Sequence, residues 1–317
     1  MGSKFSIKHL KFIIIIFLVL VAVIVLILTI YLPTTNKTDL AIINNLPIDS
    51  VGKYLRGQKQ LIVIISLDGL GSDLINQNTP FLYSLLQQPQ TAFILDMQTL
   101  EQSETMPAHL SMVTGLTQEH HKFYANSVDE STPPLISKTI FDYAIDNSYS
   151  YYAFLTKNKL LYLLGDKKGS NIIALEELSG DVINNIDNLV ETDDTKVLVF
   201  IHLRDIDTYG HTYGWNSNEQ KQALITLDNN LKLIVQDFRD EFSSYNRYFI
   251  FTADHGGEGT QHSNDCPACR RIPLIIVSEN TAIKYKLDHG SYNIYDVTCV
   301  VLSIMTAPKS GSLDCVR

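Results

Sequence analysis

The chain has 317 residues, 45% hydrophobic and 19% charged, with a formal net charge of −9 and a pI near 5.4. That apolar content excludes an intrinsically disordered chain, and the acidic balance excludes a nucleic-acid backbone as the main partner, because such binding needs a basic face. What remains is a globular chain long enough for one large domain, with acidic side chains available to hold cations.

Residues Phe12 to Leu32 carry no charge. At a helical rise of about 1.5 Å per residue the stretch spans a hydrocarbon core of roughly 30 Å. It is longer than the apolar region of about 7 to 15 residues in a cleaved signal peptide, and no small-x-small site follows it. Lys4, Lys8 and Lys11 precede it. This predicts a cytoplasmic tail over residues 1–11, a transmembrane helix over 12–32 and a lumenal or extracellular remainder, as in a single-pass type II membrane protein. Asn36-Lys37-Thr38 is a glycosylation sequon on the far side. Met1-Gly2 with Ser6 also fits the N-myristoylation pattern, although a spanning helix makes a lipid redundant. Residues 33–58 have little periodicity and read as a stalk, leaving 59–317 as one folded domain.

Within that domain short β-branched runs occur at Leu61 to Leu67, Ala92 to Met97, Tyr151 to Thr156, Lys196 to Leu203, Arg247 to Ala253 and Pro273 to Ser278. Helical stretches lie between them. In the clearest, Glu219 to Phe238, Leu224, Leu227, Leu231, Ile234, Val235 and Phe238 recur at helical spacing. Strands apolar on both faces and separated by helices predict an α/β fold, with a mostly parallel central sheet covered by helices on both faces.

The acids and histidines fall at strand ends. Asp68 follows LIVIISL, Asp207 and His211 sit in a loop, on one turn, after KVLVFIHL, and Asp254 and His255 follow RYFIFTA. In an open α/β sheet the carboxyl edge is where ligands bind, so these residues should meet in one crevice. Carboxylates gathered there repel one another unless a cation sits among them, and His is a common zinc ligand. We therefore expect Asp68, Asp254 and His255 to hold one ion and Asp207, His211 and His262 a second, each with a position left for substrate or water. Thr105, in ETMPAHLSMVTG, stands where a helix opens at Met106-Pro107. Taken alone it reads as a helix N-cap. Facing the first ion it reads as a nucleophile and a metal ligand, its alkoxide favoured by coordination and by the positive end of the helix.

Taken in order, LDGL, ETMPAHLSMVTG, DIDTYGHTYG and TADHGGEGTQH resemble the type I phosphodiesterase/nucleotide pyrophosphatase family of the alkaline phosphatase superfamily, over nearly all of residues 59 to 305. The resemblance implies an alkaline-phosphatase-like fold, two divalent metal ions, most naturally zinc, a phosphodiester or pyrophosphate substrate, and Thr105 as nucleophile. It also implies that Asn126 binds a phosphoryl oxygen. His262 fits the shorter layout of some superfamily branches as last ligand, with His289 in reserve. Met106 departs from the aromatic residue that often follows the nucleophile and stacks a base, and His121 replaces the usual Gly of an HG pair.

The expected activity is hydrolysis of a phosphodiester or pyrophosphate bond by a membrane-anchored ectoenzyme. Its alternatives are a phosphomonoesterase or phosphoethanolamine transferase on the same scaffold, or an inactive membrane-anchored binding protein. A sulfatase is disfavoured because no Cys/Ser-x-Pro-x-Arg signature occurs. Asp205 lies two residues further from His211 than the motif allows. His109 reads as packing behind the nucleophile, His202 as a strand residue, and His120 and His121 as surface. Cys266, Cys269, Cys299 and Cys315 allow three disulfide pairings, of which Cys266–Cys269 with Cys299–Cys315 is favoured over a CxxC zinc site.

Overall fold

A computed structural model describes residues 59–167, 172–174, 178–186, 194–262, 266–281, 287 and 290–306. The expected tail, transmembrane helix and stalk, Gly2, Asn36, His289 and Cys315 lie outside these residues. Among the described residues no helix is long and apolar enough to cross a membrane.

Seven strands form one sheet: β1 (Gln60–Leu67), β2 (Thr91–Gln98), β3 (Ser150–Leu155), β4 (Ile172–Ala174), β5 (Lys196–Leu203), β6 (Asn246–Thr252) and β7 (Arg271–Glu279). Their spatial order is β2-β7-β6-β1-β5-β3-β4. β1 lies at the centre of the sheet, parallel to β5 on one side and to β6 on the other, and is buried along its whole length, as a central strand covered on both faces is. β3 is parallel to β5 and β4. The sheet is thus mostly parallel, as expected, with one reversal: β7 runs against β6 and β2. The chain leaves β6 at the carboxyl edge, builds a loop there and re-enters at that edge, so β7 must run back. β4, three half-buried residues at the sheet margin, is too short for a period-2 signal.

The helices are α1 (Pro80–Leu85), α2 (Thr105–Thr114), α3 (Gln118–His121), α4 (Ile140–Asp146), α5 (Ser179–Ile186), α6 (Asp205–Tyr213), α7 (Asn218–Glu241), α8 (Pro267–Arg270) and α9 (Asp296–Thr306). Side-chain alternation shows that they cover both faces. Phe200 aligns with Ile64, while Phe251 aligns with Ile65 one residue on, so their rings point to opposite sides. Phe200 packs on His109 of α2 and Phe141 of α4, with ring centroids 6.4 and 5.9 Å apart. Phe251 packs on Phe81 of α1 at 6.2 Å.

The apolar stripe expected in α7 is buried at all six positions. Ser217 caps the helix, accepting the Gln220 amide at 3.1 Å. Asp228, on its buried side, accepts the Phe81 and Leu82 amides at 2.8 and 3.0 Å and so supplies α1 with an N-cap from a distant element. Asp228→Ala should lower stability by about 1–2 kcal/mol, read as a shift in urea midpoint with activity retained. An unchanged midpoint would show that those amides find other partners.

Candidate active site

The carboxyl ends of five strands meet at one edge. Asp68 follows β1, Lys157 follows β3, α6 follows β5, Asp254 and His255 follow β6, and the loop after β2 leads into α2. Close backbone approach holds them together. The Asp207 amide donates to Asp68 O at 3.0 Å and the Gly69 amide to Asp254 Oδ1 at 3.1 Å. Gly69 has φ +80°, and a Cβ there would lie 2.9 Å from the Asp207 Cα and N atoms, so position 69 requires glycine. Asp207 and His211 sit on a helix rather than the expected turn, and their spacing of four puts both on one face of α6.

Asp68, Asp254 and His255 come together, as do Asp207, His211 and His262, each set with its ligand atoms within 4.8 Å of one another. In the first, His255 Nε2 is 3.5 Å from Asp68 Oδ1 and 3.4 Å from Asp254 Oδ2. In the second, His211 Nε2 is 3.3 Å and His262 Nε2 3.7 Å from Asp207 Oδ1, and the two Nε2 atoms are 3.1 Å apart. Two ligands of a tetrahedral zinc with bonds of 2.0–2.2 Å stand about 3.3–3.6 Å apart, so both sets match the edge of such a site.

The proton positions fit as well. His255, His211 and His262 each direct Nδ1 at a backbone carbonyl, of Gly256, Thr260 and Ser103, at 2.9, 3.0 and 2.5 Å. Each ring therefore donates from Nδ1 and turns the lone pair of Nε2 inward, the tautomer that metal ligation needs. Asp68 Oδ1, Asp207 Oδ1, Asp254 Oδ2 and His255 Nε2 are buried without a hydrogen-bond partner. Such orphaned acceptors are costly unless a cation satisfies them. Burial holds the His255 pKa below the ordinary imidazole value, and burial together with His255 pushes that of His262 down to about 4. Burial and the neighbouring Asp68 charge push the Asp254 carboxyl well above its usual range.

The depressed His262 makes one share of metal-free stability acid-sensitive. Between about pH 6.5 and 4 the unfolded ring binds a proton that the folded ring refuses, so its share is lost as pH falls through that window, while Asp254 and His211, whose pKa values are raised, favour folding as pH falls. The change in urea midpoint of the chelated chain from pH 7.5 to 5 should therefore be more favourable in His262→Gln than in wild type. An equal change in both would show that this ring is not buried in the metal-free state.

Thr105 is the first residue of α2, and Glu104 holds the N-cap position. The hydroxyl is therefore not in capping position, contrary to the simplest reading of the sequence. It is 1% exposed and 3.4 Å from Lys157 Nζ. Lys157 also reaches Asp68 Oδ2 at 2.5 Å and Asp207 Oδ2 at 2.8 Å. Burial opposes its charge, but those two carboxylates raise its pKa. It takes the outer oxygens and leaves both Oδ1 atoms to the histidines. Asn126 Oδ1 accepts the Met106 amide at 3.2 Å and Lys159 Nζ at 2.8 Å, and its Nδ2 donates to Glu104. Asn126 thus lies beside the first turn of α2. Met106 is wholly buried and offers no surface on which a base could stack.

Other candidates fall away from the site. Asp205 accepts the Ser179 amide and hydroxyl at 3.0 and 2.6 Å and caps α5. His120 is exposed, and His121 is half-buried against Ser111 at 3.0 Å. Cys266 and Cys269 form a disulfide, which removes the CxxC zinc alternative, and Cys269 O accepts the Gly256 amide at 2.8 Å, bracing the site loop.

Two groups at the site went unread in the sequence. Lys157 is the first charged residue after β3, the same signal that marks Asp68. Trp215, the chain's sole tryptophan, donates Nε1–H to Gly69 O at 3.0 Å and packs edge-on to His211, centroids 5.3 Å apart. A Cβ on Gly210 or Gly257 would come within 2.7 or 2.0 Å of its ring, so both glycines make room for it.

Residues 62–137 and 157–271 match the type I phosphodiesterase/nucleotide pyrophosphatase family. The chain belongs to that family, and its fold is alkaline-phosphatase-like. Among solved structures, murine ectonucleotide pyrophosphatase/phosphodiesterase 5 superposes with a TM-score of 0.62 at 14% identity, over 80% of this chain and 98% of that one. The C-terminal periplasmic domain of EptC from Escherichia coli, in complex with zinc, superposes with a TM-score of 0.59 at 13% identity, over 79% and 83%. Divalent metal is thus found on this fold. Among curated proteins, the GPI ethanolamine phosphate transferase 1 of Candida glabrata is 24% identical over 237 residues, 68% of this chain. The matched part is 25% of that relative's length, and the chain spans only a fraction of the curated relatives it matches.

Proposed function

We propose that this chain is a membrane-anchored enzyme that moves phosphoethanolamine from a phosphodiester donor to an acceptor hydroxyl by way of Thr105, with two zinc ions. The observation that carries the reading is the pair of ligand sets with tetrahedral-edge spacing and inward-facing, unpartnered acceptors. Asp68, Asp254 and His255, with Thr105, would hold one ion, and Asp207, His211 and His262 the other. The bound ions supply Lewis acidity to phosphoryl oxygens and lower the pKa of the Thr105 hydroxyl.

In the first step Thr105 Oγ bonds to phosphorus while the bond from phosphorus to the donor alcohol breaks. The hydroxyl proton passes to the departing alcohol, and phosphoethanolamine stays esterified to Thr105. The acceptor hydroxyl then displaces Thr105 at phosphorus and returns a proton to it. Lys157 keeps a fixed positive charge beside Oγ, and Asn126 Nδ2 and Lys159 Nζ, which bond Glu104 and Asn126 Oδ1 in the free chain, would turn to a phosphoryl oxygen. Transfer is preferred to hydrolysis because the curated relatives are ethanolamine phosphate transferases and the buried Met106 removes the stacking platform a nucleotide would use.

Hydrolysis remains the second reading, favoured by the family's own description. The full-length chain, incubated with head-group-labelled phosphatidylethanolamine with and without a GPI acceptor, separates the two. Label moving to the acceptor supports transfer, and label released to water at the same rate in both reactions supports hydrolysis. No turnover of label under either condition overturns the enzyme assignment.

A further inference from the structure

β5 is apolar except at its ends, and at its penultimate position stands His202, fully buried. An imidazole in such a core needs partners for both nitrogens. Register provides them. His202 lies beside Ser66 of β1 and Leu155 of β3, one residue before Thr156 and two before Asp68. Nε2 is 2.9 Å from Asp68 Oδ2, and Nδ1 is 2.9 Å from Thr156 Oγ1. An ionised carboxylate only accepts, so Nε2 carries the proton and Nδ1 accepts from the Thr156 hydroxyl. The carboxylate thereby selects the tautomer, and the hydroxyl satisfies Nδ1 by donating to it.

With Oδ2 held by His202 and Lys157, Asp68 has only Oδ1 left for its ligand set, and that atom lies 3.5 Å from His255 Nε2. The other set, Asp207, His211 and His262, takes its orienting bonds from Lys157, Thr260 and Ser103 instead. We propose that His202, its tautomer set by Asp68 and its ring held in place by Thr156, is a positioning residue that makes Asp68 a single-oxygen ligand and so governs retention of the ion held by Asp68, Asp254 and His255. The proposal rests on the two-ion reading above.

The test uses the full-length chain and zinc alone, with affinity for each ion measured by competition against a chelating dye. Wild type should hold two ions. His202→Leu should weaken one by about 10- to 100-fold, as loss of an orienting partner does, and leave the other unchanged. His202→Gln, which restores an N–H donor, should recover most of the loss. Thr156→Val keeps the shape and removes the hydroxyl, so it should weaken that same ion several-fold even if His202→Leu does not fold. If Thr156→Val and the His202 variants that fold hold both ions as wild type does, or weaken both equally, His202 merely fills the core and the proposal falls. A wild-type chain that binds no zinc overturns the two-ion reading, and this proposal with it. That outcome is seen in wild type, before any variant is compared.

Discussion

Thr105→Ala should reduce turnover by on the order of 10³-fold or more, the scale on which loss of a nucleophile acts, while the chain keeps its fold and its zinc. Folding should survive because the hydroxyl is not in capping position: Glu104 holds the N-cap place. Zinc should remain because in the proposed arrangement each ion would keep three other ligands from the chain. The variant should also form no covalent adduct when given a labelled donor. Turnover close to wild type would mean that phosphorus is attacked by some other group, and Thr105 would then be an ordinary first residue of its helix.

Lys157→Met should reduce kcat by about 10²- to 10³-fold, the usual loss when one donor to a developing anion is removed from a dry site. The side chain is 13% exposed and bridges Asp68 and Asp207. Its removal leaves two carboxylates facing each other, so metal-free stability should fall too, and zinc should recover part of it. Steady-state kinetics on zinc-saturated chain isolate the catalytic part. A kcat within a few-fold of wild type would show that Lys157 only neutralises the carboxylates.

The fold was readable where burial imposes a simple period. β1 and β5 are apolar on both faces because helices cover both faces of the sheet, and the six buried positions of α7 recur at helical spacing. The reversal of β7 was not readable, since strand direction depends on the edge at which the preceding loop ends. α6 was hidden by its composition: Gly210 within it and the acidic start Asp205-Ile206-Asp207 look like a turn, and tertiary contact with Trp215 and Asp68 overrides that local preference.

At the site, the acids and histidines could be found because each follows a strand. Lys157 obeys the same rule but is a cation, and a search for metal ligands passes over it. His202 was read as a strand residue, which it is, but its bond to Asp68 depends on register between strands more than 130 positions apart in sequence. The choice between water and an alcohol as acceptor was the least legible, because Thr105, the ligand sets and Asn126 would serve either reaction equally. That choice lies in whatever surface receives the acceptor.

The most direct test of this account is the metal content of the purified full-length chain, measured by mass spectrometry together with zinc titration of the chelated protein. Two zinc ions per chain, with one lost when Asp254 and His255 are both replaced and the other lost when His211 and His262 are, is the predicted result. A folded, active chain that contains no metal and takes none up would contradict it.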